Sequence, residues 1–205
     1  MRSAIANVLA ANPTIDADRI YMTGYSLGCY MSLGFAVEAS ELVAAVACSA
    51  GALAIPTAPA GYQPTSVMHI HSIQDAVIPY STETARSFAG FNGCEPSATV
   101  TPHANRGYNR HQYSDCNGGV EVALIELLGG GHDPISQGPT VQIAWQFVSR
   151  FANRADAGGG ADEGAATTSS STTTVPWASC QNHSSSSSHL NIPPPCITVA
   201  DPSLP

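Results

Sequence analysis

The chain has 205 residues, 43% of them hydrophobic and only 11% charged, with a formal net charge of -8 and no lysine. An acidic chain whose seven basic residues are scattered arginines lacks the basic patch that phosphate binding needs, which excludes a nucleic-acid partner. The most apolar run, Leu42 to Ile55, falls short of the roughly 20 residues that cross a bilayer and is interrupted by Ser49 and Gly51, so no membrane role is expected.

In chain order, residues 3–11 read as an amphipathic helix closed by Asn12-Pro13 rather than as a signal peptide, because the apolar stretch is short. Thr14 to Asp18 lead into a β-like run, Arg19-Ile20-Tyr21-Met22-Thr23. The pentapeptide Gly24-Tyr25-Ser26-Leu27-Gly28 follows, and from Leu27 to Ala39 the Leu, Met and Phe residues recur at helical spacing. A strand that turns abruptly into a helix around G-x-S-x-G lifts the central serine into open space. Side chains at Gly24 and Gly28 are expected to collide with the reversed backbone, at φ values that suit glycine. The Leu27 amide, at the helix N-terminus, is the candidate donor to an oxygen that turns negative during acyl transfer.

Leu42 to Cys48 is an uninterrupted apolar run, the mark of a strand covered on both faces in a parallel sheet. Gly51 to Pro64 reads as a loop, Val67 to His71 as a strand ending in a polar turn that carries Asp75, and Ser81 to Ala89 as a helix with Ser81 at its cap. Cys94 to Asn117 reads as polar and irregular, Val120 to Leu128 as the last strand, and Gly129 to His132 as the loop leaving it. Pro139 to Phe151 reads as a closing helix with Val141, Ala144, Trp145 and Val148 on one face. This alternation implies a parallel α/β sheet with flanking helices, whose ligands gather where the strands end. Ser26, Asp75 and His132 all follow strand ends. Beyond about residue 155 the composition turns to Gly, Ala, Ser, Thr and Pro, too poor in apolar groups to offset the entropy of ordering. The expected division is a catalytic region over 1–154 and a low-complexity, disordered tail over 155–205.

The order Ser26, Asp75, His132 suits a nucleophile, an orienting acid and a base. Each has a plainer reading: an Asp in a polar turn commonly caps the loop, and a histidine after three glycines is ordinary at a surface. His103 and His111 are alternative bases, although no strand end aims them. His69 and His71 share a strand face but lack a third ligand, so they read as packing residues and no metal or other cofactor is expected. Six cysteines allow 15 full pairings. Cys29 and Cys48 read as buried free thiols, whereas Cys180 and Cys196 flank the serine-rich tail and are candidates to pair. Cys94 and Cys116 bracket the irregular segment, and joining them would add about 3 kcal/mol on the chain-entropy account.

Asp16 to Gly28, Val46 to Gly51, His69 to Tyr80, Asn92-Gly93-Cys94 and Gly129 to His132 together resemble the polyhydroxybutyrate depolymerase and feruloyl esterase-like branch of the α/β-hydrolases. The similarity extends over about residues 5–152. It implies a secreted carboxylic ester hydrolase acting on a small or polymeric ester such as a feruloyl, acetyl or short hydroxyalkanoate ester. It also implies Ser26, Asp75 and His132 as the triad and a Cys94–Cys116 disulfide. Three positions depart from the family pattern: Cys29 replaces a second glycine after the elbow, Ser72 replaces the glycine of a His-Gly pair, and Asp133 replaces a Ser-Trp-Pro-like continuation. Members of the branch also begin with several strands and an oxyanion loop ahead of the helix at residues 3–11. The resemblance therefore implies an N-terminally truncated hydrolase fold whose elbow strand is a sheet edge. A non-catalytic binding remnant of such an esterase, or a peptidase using the same triad, is the competing expectation.

Overall fold

The strands that hold the molecule together are those buried along their length. In the computed structural model, which describes residues 1–133 and 140–153, Ala45–Ser49 (β2) and Ser66–Ser72 (β3) are buried at every position. Val122–Leu127 (β6) is buried at all but Glu126. Tyr21–Tyr25 (β1) lies beside β2, and β1, β2, β3 and β6 run parallel in that order. Helices Arg2–Ala11 (α1), Leu27–Glu38 (α2), Glu83–Phe91 (α3) and Thr140–Val148 (α4) complete this part. The chain divides into units Met1–Ala157 and Gly158–Pro205. All described residues belong to the first; the low-complexity segment, Cys180, Cys196 and Pro139 lie outside them.

The segment from Cys94 to Asn117, expected to be irregular, contains a hairpin. Thr99–His103 (β4) and Tyr108–Tyr113 (β5) pair antiparallel, and β5 pairs antiparallel with β6, so the order is β1-β2-β3-β6-β5-β4 and the sheet is mixed. Its sequence hides it because β4 is exposed from Thr99 to Pro102 and carries a proline, which a sheet tolerates at an edge. Only Tyr108 and Tyr113, at the ends of β5, are buried there, opposite Leu127 and Val122.

Two apolar layers flank the sheet. On one face Val46, Val67 and Val122 stand in register and pack with Leu33 and Ala36 of α2 and Ala85 and Phe88 of α3. On the other, Ala47, Met68 and Ala123 stand in register and pack with Ile143, Phe147 and Val148 of α4. Phe88 and Phe147 are each at most 2% exposed; truncating either to Ala would cost about 3–5 kcal/mol. The α4 face differs from expectation. Ile143, Phe147 and Val148 turn inward while Val141 and Trp145 are 61% and 52% exposed, Trp145 lying edge-on to Tyr21. Both patterns have helical spacing; the larger share of Ile and Phe on the first decides which meets the sheet.

Cys29 and Cys48 are not free thiols but a disulfide, with Cα atoms 4.9 Å apart, and Cys94 is bonded to Cys116. Burial in the first turn of α2 and near the end of β2 reads the same in sequence for a thiol and for half a cystine. Only the packing of α2 on β2 brings the two Cβ atoms face to face.

Candidate active site

β1 ends at Tyr25 and α2 begins at Leu27, leaving one residue for the reversal. That residue, Ser26, has φ 53° and ψ -118°, a conformation that costs a non-glycine residue about 1–3 kcal/mol. It is held on both sides. Its N–H donates to the Ser49 carbonyl at 2.9 Å, and its own carbonyl accepts from Cys29 N–H at 2.9 Å and Tyr30 N–H at 3.2 Å. A Cβ at Gly24 would lie 2.2 Å from the Gly28 carbonyl carbon and oxygen, whereas a Cβ at Gly28 meets nothing within 4 Å. The expected collision therefore applies to Gly24 alone, and the positive φ belongs to the serine rather than to its flanking glycines. Gly51, unmarked in the sequence, is the second steric requirement. Its Cβ would fall 2.6 Å from Cys29 Cβ and 2.8 Å from the Ser26 oxygen.

The loops after β1, β3 and β6 bring Ser26, Asp75 and His132 together. His132 Nε2 lies 3.0 Å from Ser26 Oγ, and His132 Nδ1 lies 2.8 Å from Asp75 Oδ2. Gly130 and Gly131 take positive φ just ahead of His132, which bends the loop back over the sheet. Asp75 does two jobs. Its Oδ1 accepts the N–H groups of Val77 and Ile78, both at 2.9 Å, as a loop-capping Asp would, while Oδ2 faces His132. Burial of the Asp75 carboxyl disfavours its charge, yet the hydrogen bonds from His132, Ile78 and Val77 outweigh burial and hold its pKa at about 2. The ionised carboxylate accepts a hydrogen bond from Nδ1–H, so His132 turns its Nε2 lone pair toward the serine hydroxyl. Tyr25 packs against the imidazole with ring centroids 5.2 Å apart. The Leu27 N–H is the first of α2 and has no acceptor within its own helix.

The alternative bases lie elsewhere. His103 stacks on Tyr108 at 4.7 Å, and His111, on β5, sits 3.5 Å from Glu126. His69 and His71 are wholly buried and make contacts that the sequence reading missed: His69 Nε2 lies 2.8 Å from the Gly51 carbonyl, and His71 Nε2 lies 3.1 Å from Asp75 Oδ2. The spacing of four between His71 at a strand end and Asp75 in the following turn was the available signal. Among the described residues no group of three or more His, Cys, Asp or Glu could hold a metal ion, and no helix is long and apolar enough to cross a membrane. A groove of about 760 Å³ between residues 54–58 and α3 is lined by Ile55, Glu83, Arg86 and Phe91, among others, and by none of the three site residues.

The phospholipase/carboxylesterase family profile matches residues 2–105, a span that includes Ser26 and Asp75 and stops short of His132. A probable feruloyl esterase C of Aspergillus niger is 28% identical over 151 residues, covering 70% of this chain and 54% of that protein. Feruloyl esterase B of Piromyces equi is 28% identical over 166 residues, covering 70% and 30% respectively. Feruloyl esterase D of Neurospora crassa is 30% identical over 146 residues, covering 67% and 50%. The chain thus spans about half, or less, of the length of these curated relatives. A solved thermostable esterase covers 74% of this chain and 36% of its own, at a TM-score of 0.45 and 21% identity, too loose a match to weigh. With the profile spanning just over half of its length, the chain belongs to the phospholipase/carboxylesterase family of α/β-hydrolases.

Proposed function

We propose that this protein is a serine carboxylic ester hydrolase that works through an acyl-enzyme on Ser26. The observation that carries the reading is the continuous chain from Ser26 Oγ to His132 Nε2 at 3.0 Å and from His132 Nδ1 to Asp75 Oδ2 at 2.8 Å. In this reading Ser26 Oγ attacks the ester carbonyl carbon while its proton passes to His132 Nε2. The carbonyl oxygen becomes negative and is met by the Leu27 N–H. As the tetrahedral species collapses, the ester C–O bond breaks and the alcohol leaves with the proton from Nε2. Water, deprotonated by the same nitrogen, then attacks the acyl-Ser26; the acyl C–Oγ bond breaks, Oγ takes the proton back from Nε2, and the carboxylic acid departs. Asp75 keeps its charge throughout, fixing the tautomer of His132 and stabilising the imidazolium.

A feruloyl or similar aromatic acyl ester fits better than an acetyl or short hydroxyalkanoate ester. Curated relatives are named as feruloyl esterases. Apolar side chains adjoin the site residues and remain open: Leu27 is 77% exposed beside Ser26, and Ile73 and Val77, on either side of Asp75, are 47% and 68% exposed. Residues 1–154 form the catalytic region in this reading and 155–205 a low-complexity tail. Disulfides Cys29–Cys48 and Cys94–Cys116 support work in an oxidising, extracellular setting.

A fluorophosphonate probe tests the reading directly. It should label folded protein at Ser26 and fail on Ser26→Ala, and wild-type protein should release ferulate from methyl ferulate. Folded wild-type chain that neither takes up the probe nor cleaves the ester would overturn the assignment.

A further inference from the structure

We infer that His71 is a positioning residue: a neutral imidazole, protonated only at Nε2, that fixes the Asp75 carboxylate in its orientation toward His132. The inference rests on the triad reading above and assigns a role to a histidine that does not touch the reacting atoms.

The case begins with burial. His71 is wholly buried on β3, where each ring nitrogen needs a partner or must stay unprotonated. Nε2 lies 3.1 Å from Asp75 Oδ2 and 3.0 Å from the Ile78 carbonyl oxygen. An ionised carboxylate and a carbonyl only accept, so Nε2 carries the proton. Nδ1 has no hydrogen-bond partner among the described residues; a second proton there would be buried and unpaired. Aromatic rings confine the imidazole. His69 packs on His71 with ring centroids 5.1 Å apart. Tyr80 packs on it at 5.8 Å, its hydroxyl donating to Glu126 at 2.6 Å.

The consequence lies in the acceptor positions of Asp75. Oδ1 takes the Val77 and Ile78 N–H groups, and Oδ2 takes His132 Nδ1–H and His71 Nε2–H. Ile78 thus donates to Asp75 and accepts from His71, which closes a ring of hydrogen bonds between the β3 end and the following turn. Without His71, Oδ2 keeps only the His132 donor, and the two turn amides on Oδ1 are left to hold the carboxylate with no support from the strand. The imidazole would then drift from Ser26, and misplacement of about 1 Å costs about a hundredfold in rate.

Three substitutions separate positioning from mere packing. In His71→Gln the amide nitrogen reaches the position of Nε2; in His71→Asn it reaches only that of Nδ1; His71→Leu has no donor. Leu and Asn variants should lose about 10- to 100-fold in kcat with little change in KM, and label more slowly with fluorophosphonate; Gln should stay within a few-fold of wild type. Removing a donor leaves the Asp75 charge less satisfied, which favours the imidazolium of His132, so the acid limb of the Leu and Asn pH profiles should move to higher pH. Equal loss in all three, or losses that track the folded fraction with the acid limb unmoved, would sink the inference; if Leu does not fold, Asn against Gln still decides. ¹⁵N-edited imidazole spectra supply a readout independent of activity. In the neutral ring His71 should carry its proton on Nε2, and an Nδ1–H tautomer would refute the role even in a chain without esterase activity. Conversely, a wild type inert to probe and ester but with the expected tautomer would defeat only the hydrolase reading.

Discussion

Each region of the sheet offers a histidine–carboxylate pair for comparison. In the parallel region His132 and Asp75 meet on loops that leave β6 and β3, with Ser26 in reach. In the antiparallel region His111 of β5 faces Glu126 of β6, but Nε2 is 3.5 Å away and has no hydrogen-bond partner among the described residues. Glu126 instead accepts from Tyr80 at 2.6 Å and Asn109 at 2.7 Å. The residue types match, so chemistry alone does not separate the pairs. Topology does. Parallel strands all end at one rim, which lets residues 26, 75 and 132 converge, whereas a hairpin sends alternate ends to opposite rims and leaves its pair within the sheet, where the neighbouring Tyr80 hydroxyl is a donor to Glu126.

Neutralising each carboxylate tests that distinction and carries the largest expected effect. Asp75→Asn should reduce kcat for ester hydrolysis by about 10⁴-fold, because an amide favours the wrong His132 tautomer. Glu126→Gln should change kcat by no more than a few-fold. Comparable losses would mean that the hairpin pair reaches the chemistry and that the contrast between the regions is false.

Next in size is a contrast inside the elbow itself. Gly24→Ala drives a Cβ into the Gly28 carbonyl at 2.2 Å, a backbone collision that no rotamer relieves, and should cost at least about 3 kcal/mol in denaturant unfolding together with the activity. Gly28→Ala enters open space in the first turn of α2 and should be neutral or stabilising by up to about 1 kcal/mol, since Ala is the better helix former. Equal destabilisation would show that the elbow is built differently.

The regions should also respond differently to acid. Burial, then the nearby His71, hold the His69 pKa at about 4 against an ordinary 6.5, with the Gly51 carbonyl opposing. The unfolded chain therefore takes up a proton more readily than the folded one. The stabilisation is full above pH 6.5 and lost as pH falls toward 4, about 3 kcal/mol in all. Asp75, at about 2 against 3.8, adds its loss only below that window. Urea unfolding at pH 7, 5.5 and 4.5 should show the decline in wild type and a flatter profile in His69→Gln, which keeps a donor for the Gly51 carbonyl. Identical profiles would reassign the acid sensitivity to other groups.

Legibility in the sequence follows the same division. β2 and β6 announce themselves as largely apolar runs because both of their faces are covered, β3 as a shorter apolar stretch interrupted by His69 and His71, and the turn at Ser26 is marked by glycines on a strand-to-helix boundary. β4 and β5 have no such code: Thr99-Val100-Thr101-Pro102 faces solvent, and its pairing is imposed by the neighbouring strand rather than by its own pattern. Partnerships between distant residues are hidden for a related reason. Cys29 with Cys48, His69 with Gly51 and Cys29 with Gly51 are consequences of how closely α2 packs on β2 and β3, a distance that no local pattern encodes. The α4 face was ambiguous because apolar residues occupy both of its sides, and only the competition for the sheet resolves them.

The smallest expected effect falls on the outer strand. Val100 on β4 is 51% exposed and pairs only with His111 at the described edge of the sheet. Thr retains the β-branched shape that suits a strand while giving up a methyl group that water already reaches. Val100→Thr should therefore shift unfolding by less than about 0.5 kcal/mol and leave kcat unchanged. A loss above about 1 kcal/mol would place β4 in the cooperative core with β2 and β3. Loss of activity without loss of stability would instead tie the hairpin to the rim where Ser26, Asp75 and His132 meet. Either result would erase the separation between a parallel region that carries the chemistry and an antiparallel one that only extends the sheet.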